Sequence, residues 1–317
     1  MPLAGGLIAR FGCRRVLIVS VAAICATLPL LATLSSIPRL FATLFVFGAG
    51  VGAMDCAINV QAIIVERASG RPLMSGFHGL FSVGGIAGAA SVTALLSAGA
   101  TPLAATLAVV VLIVAAMVKA APGLLATGAA AQGPFFAMPR GVVLFIGIMC
   151  FVVFLTEGAM LDWSAVFLTS VRSMDPAHAG LGYAAFSATM TIGRLTGDAI
   201  VRRFGPRRVV SIGGVTAAIG LTLATVVPAW EAALLGYALV GAGCSNIVPV
   251  MFTSAGRQTI MPESLAVPAI TTLGYAGILA GPAFIGFLAD ATSLSVALLT
   301  IAVLMVGVAA GGLSLRD

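Results

Sequence analysis

Ten carboxylates in 317 residues are few enough that each one needs a reason. Asp55 and Asn59 stand four apart, on one face of a helix. Such a pair can bind a proton or a hydroxyl-rich solute, or it can fix packing through an interhelical hydrogen bond. Glu157 lies about sixteen residues into an apolar run, roughly 24 Å along a helix, and is the strongest single candidate for loading and releasing a proton. Asp162 and Trp163 follow near the outer end of the same run, where an indole can stack on a sugar or anchor the helix at the interface. His78 opens another run as Gly76-Phe77-His78-Gly79-Leu80-Phe81-Ser82. It suits a proton relay, or an interfacial bond to Ser82. Arg194 and Asp198 form an i,i+4 pair near a helix end and read as a gate or latch. Asn246, beside Ser245, offers a hydrogen-bonding amide, and Pro249 three residues on frees backbone carbonyls there.

The elements that carry these residues are membrane spans. Hydrophobic residues make up 60% of the chain and charged residues 8%, against about 25% charged in soluble domains. A net charge of +6 without any basic stripe excludes nucleic acid as a partner. Apolar runs that continue to the end exclude a lone signal peptide. Five widely spaced cysteines with no CxxC pair give neither a disulfide framework nor a metal site. Ten segments are long and apolar enough to cross a bilayer, at about 16–36, 40–65, 74–98, 102–120, 141–170, 180–201, 208–228, 232–255, 265–289 and 293–314. The expected fold is an all-α polytopic membrane protein. Placing both termini in the cytoplasm puts Arg10, Arg14, Arg15, Arg67, Arg71, Lys119, Arg140, Arg202, Arg203, Arg207, Arg208, Arg257 and Arg316 on that side, with only Arg39 and Arg172 opposite.

An internal repeat divides the chain. Arg10-Phe11-Gly12-Cys13-Arg14-Arg15 recurs 193 residues later as Arg203-Phe204-Gly205-Pro206-Arg207-Arg208. At the same shift Gly48 and Gly50 meet Gly241 and Gly243, and Gly84 and Gly88 meet Gly277 and Gly281. Two parallel pseudo-repeat halves joined by a linker are a transporter architecture. The expected division is 1–120, an Ala/Gly/Pro-rich cytoplasmic linker at 121–140, and 141–317.

These motifs resemble the major facilitator superfamily. Its loop motif, Gly-x-Leu-x-Asp-Arg-x-Gly-Arg-Arg/Lys, is matched by Gly5, Leu7, Arg10, Gly12 and Arg14, with Ala9 in place of the acid and Cys13 in place of an arginine. Glu157 to Ser164, then Gly193-Arg194-Leu195-Thr196-Gly197-Asp198 and the second hexad, resemble most the MosC-like branch of sugar- or polyol-type transporter homologues. The resemblance implies that the ten spans are helices 3–12 of twelve. It makes 40–65, 141–170 and 232–255 cavity helices, which would place Asp55, Asn59, Glu157 and Asn246 toward a solute. Residues 1–9 become the end of helix two. An exposed cavity wall would cost several kcal/mol per polar group, so Met1 is expected to be an internal start, with a truncated, inactive remnant as the alternative. Arg10, Arg14, Arg203 and Arg207 in the loop motifs, with Arg194 and Asp198, form the expected gating set.

The resemblance implies a monomeric secondary transporter in a bacterial inner membrane. It would move a small polar solute, sugar- or polyol-like, by alternating access with a proton as coupling ion, without cofactor or metal. Multidrug or metabolite efflux is the competing reading; the glycine–proline motif of drug antiporters matches here only Gly84-x-x-x-Gly88-Ala89, without the proline. A non-transporting membrane scaffold is a third. No P-loop is present for ATP-driven transport, and no nucleophile–base or metal-ligand set for an enzyme.

Overall fold

The structure is a computed structural model and describes residues 2–126 and 138–315. Residues 127–137 of the expected linker, and Arg316, lie outside the described residues. Twelve α-helices are found among the described residues, and no strand. They are α1 (Pro2–Phe11), α2 (Cys13–Leu31), α3 (Ile37–Ser69), α4 (Met74–Ser97), α5 (Pro102–Ala120), α6 (Val142–Ser170), α7 (Leu181–Phe204), α8 (Pro206–Val226), α9 (Trp230–Cys244), α10 (Ile247–Arg257), α11 (Glu263–Ala291) and α12 (Leu294–Gly312). Nine segments among the described residues are long and apolar enough to cross a bilayer, with α9 and α10 counted as one. The tenth expected span is α7. Its 24 residues are long enough, but Arg194, Asp198, Arg202 and Arg203 make it the most polar of the set. Large apolar side chains stay uncovered, Phe81 on α4 and Val111, Leu112 and Val118 on α5 among them. Lipid covers such a surface where water would not.

Element ends follow from local chemistry. Thr101 caps α5 by accepting from the Ala104 N–H at 3.2 Å, with Pro102 at the first helical position. Ser293 caps α12 in the same way through Val296. Gly12 and Gly205 form the corners between α1 and α2 and between α7 and α8, at φ 79 and φ 78. Side chains with a Cβ rarely adopt that backbone, so the glycine of each hexad is dictated by its corner.

The chain forms two compact units. The first comprises Met1–Val65, Phe81–Met138 and Met261–Ala269. Ile8, Cys13, Leu17, Ile24, Cys56, Val60 and Ile63 are buried in it, and Gly50 on α3 packs against Ile24 and the Ser20 carbonyl on α2. The second comprises Glu66–Leu80, Pro139–Ile260 and Ile270–Asp317. There α8 and α9 meet backbone to backbone at Gly213–Gly243 and Gly220–Gly236, where a methyl on any of the four would strike a carbonyl. Tyr237, Phe167 and Phe252 are its largest fully buried side chains. Segments 66–80 and 261–269 occupy equivalent places in the 193-residue repeat, and each belongs to the unit built mostly from the other half of the sequence.

Candidate functional site

Glu157 lies one residue past the midpoint of α6 and Arg194 just past the midpoint of α7. Arg194 was expected near a helix end. Its guanidinium crosses to α6 and donates to Glu157 Oε1 at 3.1 Å. The arginine side chain is 7% exposed and the glutamate 16%. In a charged pair this deep between two helices each partner offsets the other's charge; removing one of such a pair costs about 3–5 kcal/mol. Cys150, Cys244 and Tyr183 are within electrostatic reach of the carboxylate. His78 is within electrostatic reach of Arg194, its ring 5.8 Å from that of Phe252. The next residue, Gly79, packs directly on the α7 backbone at Arg194 and Leu195.

Asn246 sits in the break between α9 and α10, and it is buried. Its Nδ2 donates to the Gly193 carbonyl on α7 at 3.0 Å and to Ser245 Oγ at 3.0 Å. Its Oδ1 rests against Gly197, where any side chain would displace it. Pro249 has no N–H to offer the Ser245 carbonyl four residues back. The break, the amide and the two glycines are one packing feature, and it seats Gly193 directly before Arg194.

Asp198 is one helical turn beyond Arg194. Its Oδ1 accepts from the Ser75 N–H and its Oδ2 from the Gly76 N–H, both at 3.0 Å. Sequence reasoning passed over Glu66. Its Oε2 accepts from Leu73 N–H at 2.7 Å and Met74 N–H at 2.8 Å, and its Oε1 from Thr253 Oγ1 at 2.7 Å. Two carboxylates on two other helices therefore satisfy four successive N–H groups at the start of α4. These are donors that a helix leaves unpaired, at its positive end. The signal was available: Glu66 is one of only ten acids and sits where an apolar run ends. Beside it, Arg67 donates to the Gly256 carbonyl near the end of α10.

The other expected residues are placed as follows. Asp55 and Asn59 face each other within α3, in the first unit: Asn59 Nδ2 donates to the Asp55 carbonyl at 2.9 Å and to its Oδ1 at 3.3 Å. Asp162 is exposed. Trp163 packs against Gly286 on α11, and its buried indole N–H has no hydrogen-bond partner among the described residues. Arg10 and Arg203 lie over the rings of Phe11 and Phe204 at 5.3 and 5.4 Å. Arg14 is half-buried and Arg207 exposed. Glu157, Arg194, His78, Asn246 and Asp198 thus fall in the second unit, and Asp55 and Asn59 in the first.

The chain is similar over almost its whole length to known transporters. It is 53% identical over 311 residues to an MFS-type transporter of Yersinia pestis, covering 98% of this chain and 81% of that protein. It is 31% identical over 309 residues to the membrane protein MosC of Rhizobium meliloti, covering 95% and 74%. A structure of FucP in the outward conformation superposes with a TM-score of 0.79 at 16% identity, over 98% of this chain and 84% of that one. A structure described as the E. coli fucose:proton symporter gives 0.76 at 18%, over 98% and 85%. The human organic anion transporter MFSD10 gives 0.73 at 16%, over 98% and 79%. At such identities the solved structures establish the fold. No family model matches the chain.

Proposed function

The chain belongs to the major facilitator superfamily of multi-pass membrane transporters, and from that premise we propose that it is a proton-coupled carrier of a small polar organic solute, sugar- or polyol-like, in a bacterial inner membrane. The observation that carries this reading is the Glu157–Arg194 pair. The guanidinium donates to the carboxylate across two helices, so a proton that loads Glu157 weakens a contact that ties α6 to α7. Proton uptake is thereby linked to a change in helix packing, which is what a secondary transporter needs. The fucose:proton description of a protein that shares the fold supports the choice of solute and ion.

Asp198 and Glu66 are the latch in this reading. A helix start held by two carboxylates is released or re-formed as a unit, since the four N–H groups lie on one turn. Arg10, Arg14, Arg203 and Arg207 at the corners take the gating role. Trp163 offers the solute a stacking face, Asp162 polar contacts at the outer end, and His78 the proton's route to Arg194 and Glu157, while Asp55 and Asn59 offer hydrogen bonds from the first unit. Both termini are cytoplasmic and the chain acts as a monomer.

The test is uptake into proteoliposomes. An inward proton gradient should drive accumulation of a polyhydroxylated solute from a labelled panel, and collapsing the gradient with a protonophore should abolish it. Extrusion of amphipathic dyes with no uptake of any polar solute would replace this reading with efflux.

A further inference from the structure

We infer that the corner between α1 and α2 binds an anionic phospholipid, with an acyl chain in the groove that α1, α2 and α3 form and the phosphate on Arg15 and Arg14. The site is independent of the solute and of the coupling ion. The groove lies within the first unit and has a volume of about 430 Å³. That falls within the roughly 300–1,000 Å³ of small-molecule sites. Leu7, Phe11, Val16, Val19 and Ala53 line it, and Arg15 is its only charged wall. Phe11 is 44% exposed and Val19 68%, so the apolar lining continues onto an uncovered helix face. On a membrane span, hydrocarbon covers such a face.

The cations beside the groove lack a counter-ion in the protein. Arg10, Arg14 and Arg15 fall within six residues, and residues 1–54 hold no carboxylate. Arg15 is exposed and Arg14 half-buried, while Arg10 lies over the Phe11 ring. Among the described residues none of the three pairs with a carboxylate. Asp55, the first acid in the sequence, is engaged by Asn59 on its own helix.

A ligand for this place needs an anionic head and a long apolar body. An anionic phospholipid has both, and basic residues at the edge of a membrane span attract such headgroups. The guanidinium fork also matches phosphate oxygens. A free phosphate would use the arginines and leave the groove uncovered. A second copy docked through the same face would bring arginines against arginines, and like charges across an interface repel.

The experiment is native mass spectrometry of the purified full chain, titrated with phosphatidylglycerol or with phosphatidylcholine of the same acyl chains. The expected result is one phosphatidylglycerol retained per chain at concentrations where phosphatidylcholine is lost. Arg15→Gln should weaken that binding about fivefold, and Arg208→Gln, its counterpart at the second corner, should leave it unchanged. Ala53→Leu, which narrows the groove and keeps every arginine, should weaken it as well. The variants are compared as material that elutes like the wild type, and an excess of glycerol 1-phosphate should not displace the lipid. Equal retention of the two lipids would overturn the inference. So would equal losses in Arg15→Gln and Arg208→Gln, which would make net charge responsible. Displacement by glycerol 1-phosphate would reduce the site to a phosphate contact and overturn it too. A dimer that resists phosphatidylglycerol and is lost in Ala53→Leu would put a second copy in the groove instead of lipid.

Discussion

The two copies of the Arg-Phe-Gly corner share a backbone and differ in what they carry. Gly12 has φ 79 and ψ 156, and Gly205 has φ 78 and ψ 157. In each, the arginine before the Phe-Gly step lies over the phenylalanine ring. Yet the counterpart of Asp198 at the 193-residue shift is Gly5. Asp198 holds the start of α4 with a carboxylate. Gly5 instead lets α1 lie directly on the Ser264 carbonyl and Pro268 at the start of α11. One corner ends in a polar latch and the other in a bare backbone contact. The corner geometry is a local demand met by the same glycine twice. The latch is a tertiary device, and one half alone has it.

Exchanging the two residues is the most direct way to break this comparison. Gly5→Asp should be the more damaging change, at about 4 kcal/mol or more, because it drives a carboxylate into a buried contact with a backbone oxygen. A thermal melt of the detergent-solubilised protein measures this, and a variant that melts like the wild type would refute the close contact. Asp198→Gly should cost about 3 kcal/mol, the low end for two charge-assisted hydrogen bonds to N–H groups at a helix start. It should also lower transport more than it lowers stability. Fully retained uptake would reduce the latch to a structural cap. Smaller again, Gly12→Ala and Gly205→Ala should each cost about 1–2 kcal/mol, by equal amounts, since each forces a Cβ into the left-handed region. A large inequality between their melting shifts would show that the corners are not equivalent.

Much of the fold was legible because apolar runs of membrane length report themselves one segment at a time. The apolar run 102–120 is α5, Pro102–Ala120, and the run 141–170 is α6, Val142–Ser170. The eighth apolar run, 232–255, is continuous in the sequence and breaks at Ser245–Asn246 in the structure. Pro249 and the buried amide gave the hint, but the Gly193 carbonyl that receives the amide is 53 residues away. The corners were legible through the repeated hexad. Glu157 and Arg194 were singled out separately, and their pairing was not visible, since 37 residues separate them. By spacing, Arg194 and Asp198 are an i,i+4 pair, which is worth about 0.2–0.5 kcal/mol. In the structure each reaches a partner on another helix, where a buried charge or an unpaired helix start offers more. Partners on other elements decide such choices, and a linear sequence does not display them.

Proton movement tests the central assignment, that Glu157 paired with Arg194 is the coupling carboxylate. The measurement is alkalinisation of a lightly buffered medium when transported solute is added to proteoliposomes at zero membrane potential, with wild type and Glu157→Gln compared at equal amounts of correctly eluting protein. The wild type should take up protons with solute in a fixed ratio, and Glu157→Gln should take up none above the protein-free control. Solute-dependent proton uptake of wild-type size in Glu157→Gln would contradict the account.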